Sequence, residues 1–314
     1  MNIKSNEILV TGGSGLLGKT LKSILPNAIY ISSSDYDLRY YNDVNDCFKK
    51  YKPKTIIHLA AKAGGIIDNV NKPCDYLEDN LLINTNVLSC ARKLDIKNVL
   101  SMSSTCVYPM ESDIYPMNED MIMEGKPEPT NDGYAYSKRV MIKQSQKSNV
   151  QYGTNFKFIT PCNLYGETDN FKNIDKAHFV TALMLKIHES QKTGNPMVLY
   201  GDGTPIRQFI HVKDLSIIIK KLVLDIGIEK IPQKGINICT DETLSIDEMV
   251  KLGYETLNIK NYNYEYDPNK PNGVKRKDVC NDKLKELIPS IDFIKLKEGM
   301  RMVFNKIKEY DKVS

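Results

Sequence analysis

The stretch Ile-Leu-Val-Thr-Gly-Gly-Ser-Gly-Leu-Leu-Gly-Lys-Thr-Leu, residues 8–21, constrains the fold more than any other feature of the chain. A β-prone apolar run ends at a cluster of glycines, and a helical run starts at once. Each glycine has a mechanical reason: Gly12 permits a tight turn, Gly15 lets backbone approach a pyrophosphate, and Gly18 lets helix and strand pack closely. The unpaired N–H groups at the helix start, around Ser14, Leu16 and Leu17, then offer an anion site. A glycine pattern alone is weak evidence, since an ordinary glycine-rich loop looks the same. Its place decides the reading, because it is the first turn of a strand–helix alternation.

That alternation continues with strands expected at Glu7–Thr11, Ala28–Ile31, Thr55–Leu59, Asn98–Met102 and Phe156–Thr160. Helices are expected near Leu16–Ile24, Asp43–Lys50, Tyr76–Leu94 and Tyr134–Asn149. Strands rich in Val and Ile between helices predict βαβ units, a parallel sheet and the doubly wound α/β (Rossmann) class. After Tyr165 the pattern loosens. A loop, GETDNFKNIDK, precedes a helix near Ala177–Ser190, strands near Met197–Tyr200 and Gln208–Val212, and a final helix near Ile294–Tyr310. The organisation predicted is a dinucleotide-binding domain over 1–165, joined again by about 208–240, with 166–314 forming mainly a smaller α/β substrate lobe.

The second strand bears on which dinucleotide fits. It runs AIYISSS, so Ser32, Ser33 and Ser34 stand where an NAD site usually carries a carboxylate, and Asp35 comes slightly late. Nothing there repels a 2′-phosphate, which favours NADP(H); no Arg or Lys stands there to clamp it. Asp37 and Leu38 are placed to reach the adenine.

Tyr134 and Lys138 stand four residues apart in a proline-free helical segment, so they share a face. The ammonium is expected to lower the phenol from about 10 towards neutrality, for proton transfer at a carbinol oxygen. The same spacing recurs at Tyr266 and Lys270, where Pro268 makes a helix interior a poor fit and the match a coincidence. Ser104 ends the fourth strand and can donate to a substrate carbonyl or merely cap a turn. Cys106 can be an acid or base or a buried thiol, and His178 a catalytic imidazole or a first-turn surface residue. His58 and His211, inside apolar strands, read as structural, and His188 as a solvated helix position. Without HExxH or CxxC spacing no metal is expected.

Bulk properties narrow the partners. A formal net charge of +4 with scattered lysines argues against nucleic acid, and no run approaches the ~20 apolar residues of a membrane span. Seven cysteines without a CxxC pair suit reduced thiols in a cytoplasmic protein.

Taken together, TGGSGLLG, HLAAKAGGI, SSTCVYP, EPTNDGYAYSKR, PCNLYGETDNF and GDGTPIRQFIHVKDL resemble the extended short-chain dehydrogenase/reductases. Within these, AAKAGG, STCVYP and NLYGETDNF are most similar to the GDP-L-fucose synthase family. The resemblance spans nearly the whole chain and implies a bifunctional epimerase and NADPH-dependent reductase acting on a GDP-4-keto sugar. It implies a reductase triad of Ser104, Tyr134 and Lys138, and an epimerisation acid/base pair of Cys106 and His178. Ser103, Pro161, Asn163, Leu164, Lys138 and His178 would line the nicotinamide end. Lys186, Tyr200, Arg207 and Asn272 would contact the GDP-sugar, although many relatives carry Arg, Trp and Asp where Lys186, Tyr200 and Asn272 stand. A homodimer is implied, formed by the helices near 76–94 and 134–149. Two rivals stand beside this reading. A nucleotide-sugar 4-epimerase or 4,6-dehydratase is one, but dehydratases carry an Asp-Glu pair where Thr105 and Cys106 follow Ser104. The other is a non-catalytic NADP-sensing module, which would commonly lose the tyrosine or lysine kept here.

Overall fold

The computed structural model describes residues 3–312. Eleven strands occur among them: β1 (Ile8–Thr11), β2 (Ile29–Ile31), β3 (Thr55–His58), β4 (Asn98–Met102), β5 (Asn155–Pro161), β6 (Asn163–Tyr165), β7 (Met197–Tyr200), β8 (Ile206–His211), β9 (Ile236–Ile238), β10 (Thr243–Ser245) and β11 (Tyr264–Asp267). The helices are α1 (Leu16–Ile24), α2 (Tyr41–Tyr51), α3 (Ile66–Asn71), α4 (Pro73–Lys93), α5 (Asp132–Tyr152), α6 (Phe179–Thr193), α7 (Val212–Lys220), α8 (Ile246–Thr256), α9 (Asp282–Leu287) and α10 (Leu296–Asp311).

The large sheet has the order β2-β1-β3-β4-β5-β9, with every pairing parallel. Each residue of β1 and β3 is buried, as expected of strands covered on both faces. Helix α4 packs on α5, and α1 on α7, so helices lie against the sheet from both sides. The winding reverses between β1 and β3, which opens a crevice at their carboxyl ends. The glycines meet there. Gly12 has φ +74°, and a Cβ on it would stand 2.8 Å from the Ala60 backbone nitrogen at the end of β3. A Cβ on Gly18 would stand 2.3 Å from the Gly12 carbonyl oxygen, so α1 could not approach the turn with any side chain there.

After β5 the chain leaves this sheet and returns to it at β9. A three-stranded sheet, β10-β8-β6, and a parallel pair, β11-β7, account for the other strands. A second apolar cluster, including Tyr165, Val180, Met184, Phe209, Tyr254, Met300 and Val303, lies among α6, α8 and α10. Burying such side chains contributes ~1.5–3 kcal/mol each before conformational entropy is set against it. Strand and helix bounds differ from the sequence reading by a few residues. Helix α4, for example, starts at Pro73, a good first helical residue because its missing N–H would be unpaired there anyway. Tyr266 lies in β11 and its hydroxyl donates to Asp247, so the Tyr266–Lys270 spacing is not helical.

Candidate active site

Three elements deliver the reactive side chains. Strand β4 ends at Met102, and Ser104 caps the short turn Thr105–Val107, its Oγ accepting from the Cys106 N–H at 3.3 Å. Helix α5 brings Tyr134 and Lys138 to the same place, with the Lys138 Nζ 5.7 Å from the Tyr134 ring centre. Lys138 is 1% exposed, and its ammonium donates to the Met102 carbonyl at 2.9 Å, which ties the helix to the strand end.

The electrostatics differ from the sequence expectation at one point. Burial, followed by the nearby Cys106, raises the Tyr134 phenol instead of lowering it. Burial likewise lowers Lys138 to about 8. Tyr134 is therefore held protonated at neutral pH. Cys106 goes the other way. Burial pushes its thiol up, but the Lys277 charge and hydrogen bonds from Ser104, Lys277 and Asn131 together hold it below the ordinary thiol range. The Lys277 Nζ stands 3.0 Å from Sγ and the Asn131 Nδ2 3.2 Å. Sequence reading missed both partners; Lys277 is 171 positions away and no local pattern links it to Cys106.

His178 caps α6 and lies elsewhere. Its N–H and its Nδ1 each sit 3.0 Å from Asp169, whose carboxylate is almost fully buried. Burial pushes that carboxyl up, yet the hydrogen bond and charge of His178 keep it below its usual range. Asp169 was also missed; its place in the irregular loop nine residues before His178 is the only sequence signal. Among the described residues no hydrogen bond or ion pair joins His178 to Cys106. His178 instead lines a cavity of about 440 Å³ with Ser14, Gly15, Leu16, Thr168 and Asp169.

That cavity suits the phosphates of a dinucleotide. It opens on the N-terminus of α1, which has no side-chain cap, and Lys19, Lys172 and Lys176 line it. The Ser103 hydroxyl, buried beside Ser104, has no hydrogen-bond partner among the described residues. Asp35 turns back so that its carboxylate accepts from the Ser32 N–H and Oγ at 2.8 and 2.7 Å. Asp37 is engaged by Arg39, whose Nη2 lies 2.6 Å away, and Leu38 is buried. Pro161 ends β5, and the Asn163 amide donates to the Gln208 carbonyl at 2.9 Å, with Leu164 next in β6.

A second cluster of charge stands on the other lobe. The Lys186 Nζ lies 5.4 Å and the Lys270 Nζ 5.8 Å from the centre of the Tyr200 ring. Sequence reading gives Lys270 no role, because its spacing from Tyr266 reads as a coincidence and nothing local links it to Tyr200. Arg207 is a partly buried neighbour of Cys106, its Nη1 donating to the Ile206 carbonyl at 2.8 Å. The Asn272 Oδ1 accepts from the Asp202 N–H at 2.9 Å, fixing the turn after β7.

The structural histidines divide. His58 is fully buried between Thr11 and Asn84, and burial, with the Lys138 charge, lowers it to about 3. His211 is buried 2.9 Å from Glu167. His188 is not a solvated position: it lies 2.6 Å from Asp311 and edge-on to Phe304, because α10 packs against α6. Among the described residues no group of three or more His, Cys, Asp or Glu could hold a metal, and no helix is long and apolar enough to cross a membrane.

A glycine-rich turn at the switch point of a parallel sheet, with Ser104, Tyr134 and Lys138 beside it, defines a dinucleotide-dependent oxidoreductase of the short-chain type. Residues 8–227 match the NAD dependent epimerase/dehydratase family. A GDP-L-fucose synthase of Dictyostelium discoideum is 32% identical over 302 residues, covering 94% of this chain and 92% of that protein. A GDP-L-colitose synthase of Yersinia pseudotuberculosis is 34% identical, covering 89% and 91%. The crystal structure of a GDP-L-fucose synthetase from Naegleria fowleri bound to NADP superposes with a TM-score of 0.84 at 30% identity, covering 98% of this chain and 94% of that one. The chain belongs to the NAD dependent epimerase/dehydratase family and, within it, to the GDP-L-fucose synthases.

Proposed function

We propose that this chain converts GDP-4-keto-6-deoxy-mannose to GDP-L-fucose, epimerising carbons 3 and 5 and reducing carbon 4 in one site. The observation that carries the reading is the convergence of a protonated phenol, a serine hydroxyl and a thiol of lowered pKa at the end of β4. NADP(H) is the cofactor, and when bound it supplies the hydride for carbon 4. The glycine-rich turn with Lys19, Lys172 and Lys176 would hold its phosphates, and Lys138 its nicotinamide ribose.

Carbons 3 and 5 flank the ketone, so their protons are acidic. Cys106 takes such a proton, while Ser104 and Tyr134 hydrogen-bond the oxygen on which charge develops. His178 is the complementary acid on the other face of the sugar. Asp169 accepts its Nδ1–H and so leaves Nε2 for proton transfer. In the reduction Tyr134 gives its proton to the 4-oxygen, a task suited to a phenol held protonated. Lys186, Tyr200, Lys270 and Arg207 are the groups for the anionic nucleotide, with Asn272 supporting the turn beside them. The likeness to a GDP-L-colitose synthase makes a GDP-4-keto sugar with different ring substituents the second substrate to try.

The working unit in this reading is a cytoplasmic homodimer. Leu82 on α4 and Tyr136 and Val140 on α5 are exposed apolar residues on two adjacent helices, and the seven cysteines are free thiols. Light scattering on Val140→Glu should report a monomer; an unchanged mass would remove this face from the interface. The activity itself is tested by NADPH absorbance with GDP-4-keto-6-deoxy-mannose and chromatography of the product. NADPH loss with GDP-L-fucose formed supports the proposal, whereas no loss in protein that binds NADPH rejects the substrate.

A further inference from the structure

We infer that Lys277, assisted by Asn131, holds Cys106 as a resting thiolate and is thereby a positioning residue for the epimerisation base; this rests on the function proposed above. The sulfur faces two donors, an ammonium at 3.0 Å and a carboxamide N–H at 3.2 Å. An ammonium has three protons and no acceptor, and the carboxamide N–H also donates, so both groups stabilise the thiolate more than the thiol.

Both ends of the contact are fixed by backbone. The Ile206 N–H donates to the Lys275 carbonyl at 2.8 Å, and Met117 exchanges bonds with Asp278 and Cys280 at 3.0 and 2.9 Å. These bridges stretch residues 275–280 between β8 and the 117 loop. Arg276 is drawn to Asp278, its Nε 2.6 Å from Oδ1. Successive side chains of extended backbone point to opposite sides, so Lys277 is left facing the sulfur. On the other side, the Arg139 guanidinium donates to the carbonyls of Val107, Gly125 and Glu124 at 2.7–2.8 Å, and Ser104 caps the turn that carries Cys106.

The charged and titratable groups around the sulfur are Lys277, Arg207 on β8 and Tyr134 on α5, with Glu128 acting on Arg207. Cations outnumber anions there, and the lowered thiol agrees with the geometry. A thiolate ready at neutral pH lets Cys106 abstract a carbon-bound proton without first losing its own.

The test follows alkylation of Cys106 by iodoacetamide against pH, read on the Cys106 peptide by mass spectrometry. Lys277→Met should raise the midpoint by roughly 1 pH unit or more. Lys277→Arg should restore most of the shift, and Asn131→Ala should raise the midpoint less. The pH profile of solvent-deuterium uptake into the substrate should move the same way, with NADPH binding retained. An unchanged alkylation midpoint in Lys277→Met would overturn the inference. Should that variant not fold, Lys277→Gln and Asn131→Ala decide it by the same readout. Full deuterium uptake by Cys106→Ser would reject Cys106 as the base, a failure of the function proposed and visible apart from the alkylation result.

Discussion

The two ends of the candidate site are built on different principles. At the end of β4, Ser104, Lys138 and Cys106 are each tied to backbone or to a neighbour within hydrogen-bond distance, with the Tyr134 ring beside Lys138. At the end proposed for the nucleotide, Tyr200 is 47% exposed, and Lys186 and Lys270 reach it from α6 and from the turn after β11. Proton transfer needs heavy atoms held near 3 Å, so its groups are mounted where strand ends and a helix interlock. A nucleotide diphosphate is large and charged, so ammoniums on the surface at an exposed aromatic ring would suit it. His178 stands between these extremes: half-exposed, but steered by a buried carboxylate.

Substitutions at the rigid end should cost the most. Tyr134→Phe removes the acid and should lower NADPH consumption by about 100-fold or more; a near-normal rate would dissolve the distinction between the two ends. The same end should govern acid stability through His58. Its folded pKa of about 3 lies below the unfolded value of about 6.5, so the unfolded chain binds the extra proton between them. Stability is then fully present above pH 6.5 and lost as pH falls towards 3, by on the order of a few kcal/mol. Urea unfolding from pH 7 to 4 should show this slope, and His58→Asn should flatten it; equal slopes in both proteins would show that His58 is not the group. Asp169→Asn tests the intermediate region. It should slow epimerisation about tenfold, equivalent to ~1.4 kcal/mol, with reduction less affected; an equal loss in both would make Asp169 a structural residue only. Smallest of all, Lys270→Ala at the exposed end should raise KM for the GDP-sugar about threefold with kcat unchanged, and a fall in kcat alone would move Lys270 into the chemistry.

Local patterns made the sheet legible. The glycine turn, the Val/Ile strands and the i, i+4 pair on α5 are short-range features, and α1, β4 and β7 lie where the sequence put them. What was not legible depends on long-range contact. Lys277 meets Cys106 only because two β-bridges pin its segment. His188 is covered because α10 returns across α6, and the Tyr134 phenol rises because it is buried, with Cys106 nearby. Asp169 lay in plain view, but an irregular loop gives no periodicity from which to read a pairing. Tyr134 and Lys138 stand together beside the strand end that leads to Ser104, whereas Cys106 faces Lys277 and His178 faces Asp169.

A single site that both epimerises and reduces leaves a distinct isotopic signature. The direct test is to run the reaction with NADPH in deuterium oxide and read the product by mass spectrometry and NMR. GDP-L-fucose carrying deuterium at carbons 3 and 5, formed with equal loss of NADPH, is the predicted result. NADPH loss giving a product of unchanged configuration at both carbons, without deuterium there, would contradict it and leave a simple 4-ketoreductase.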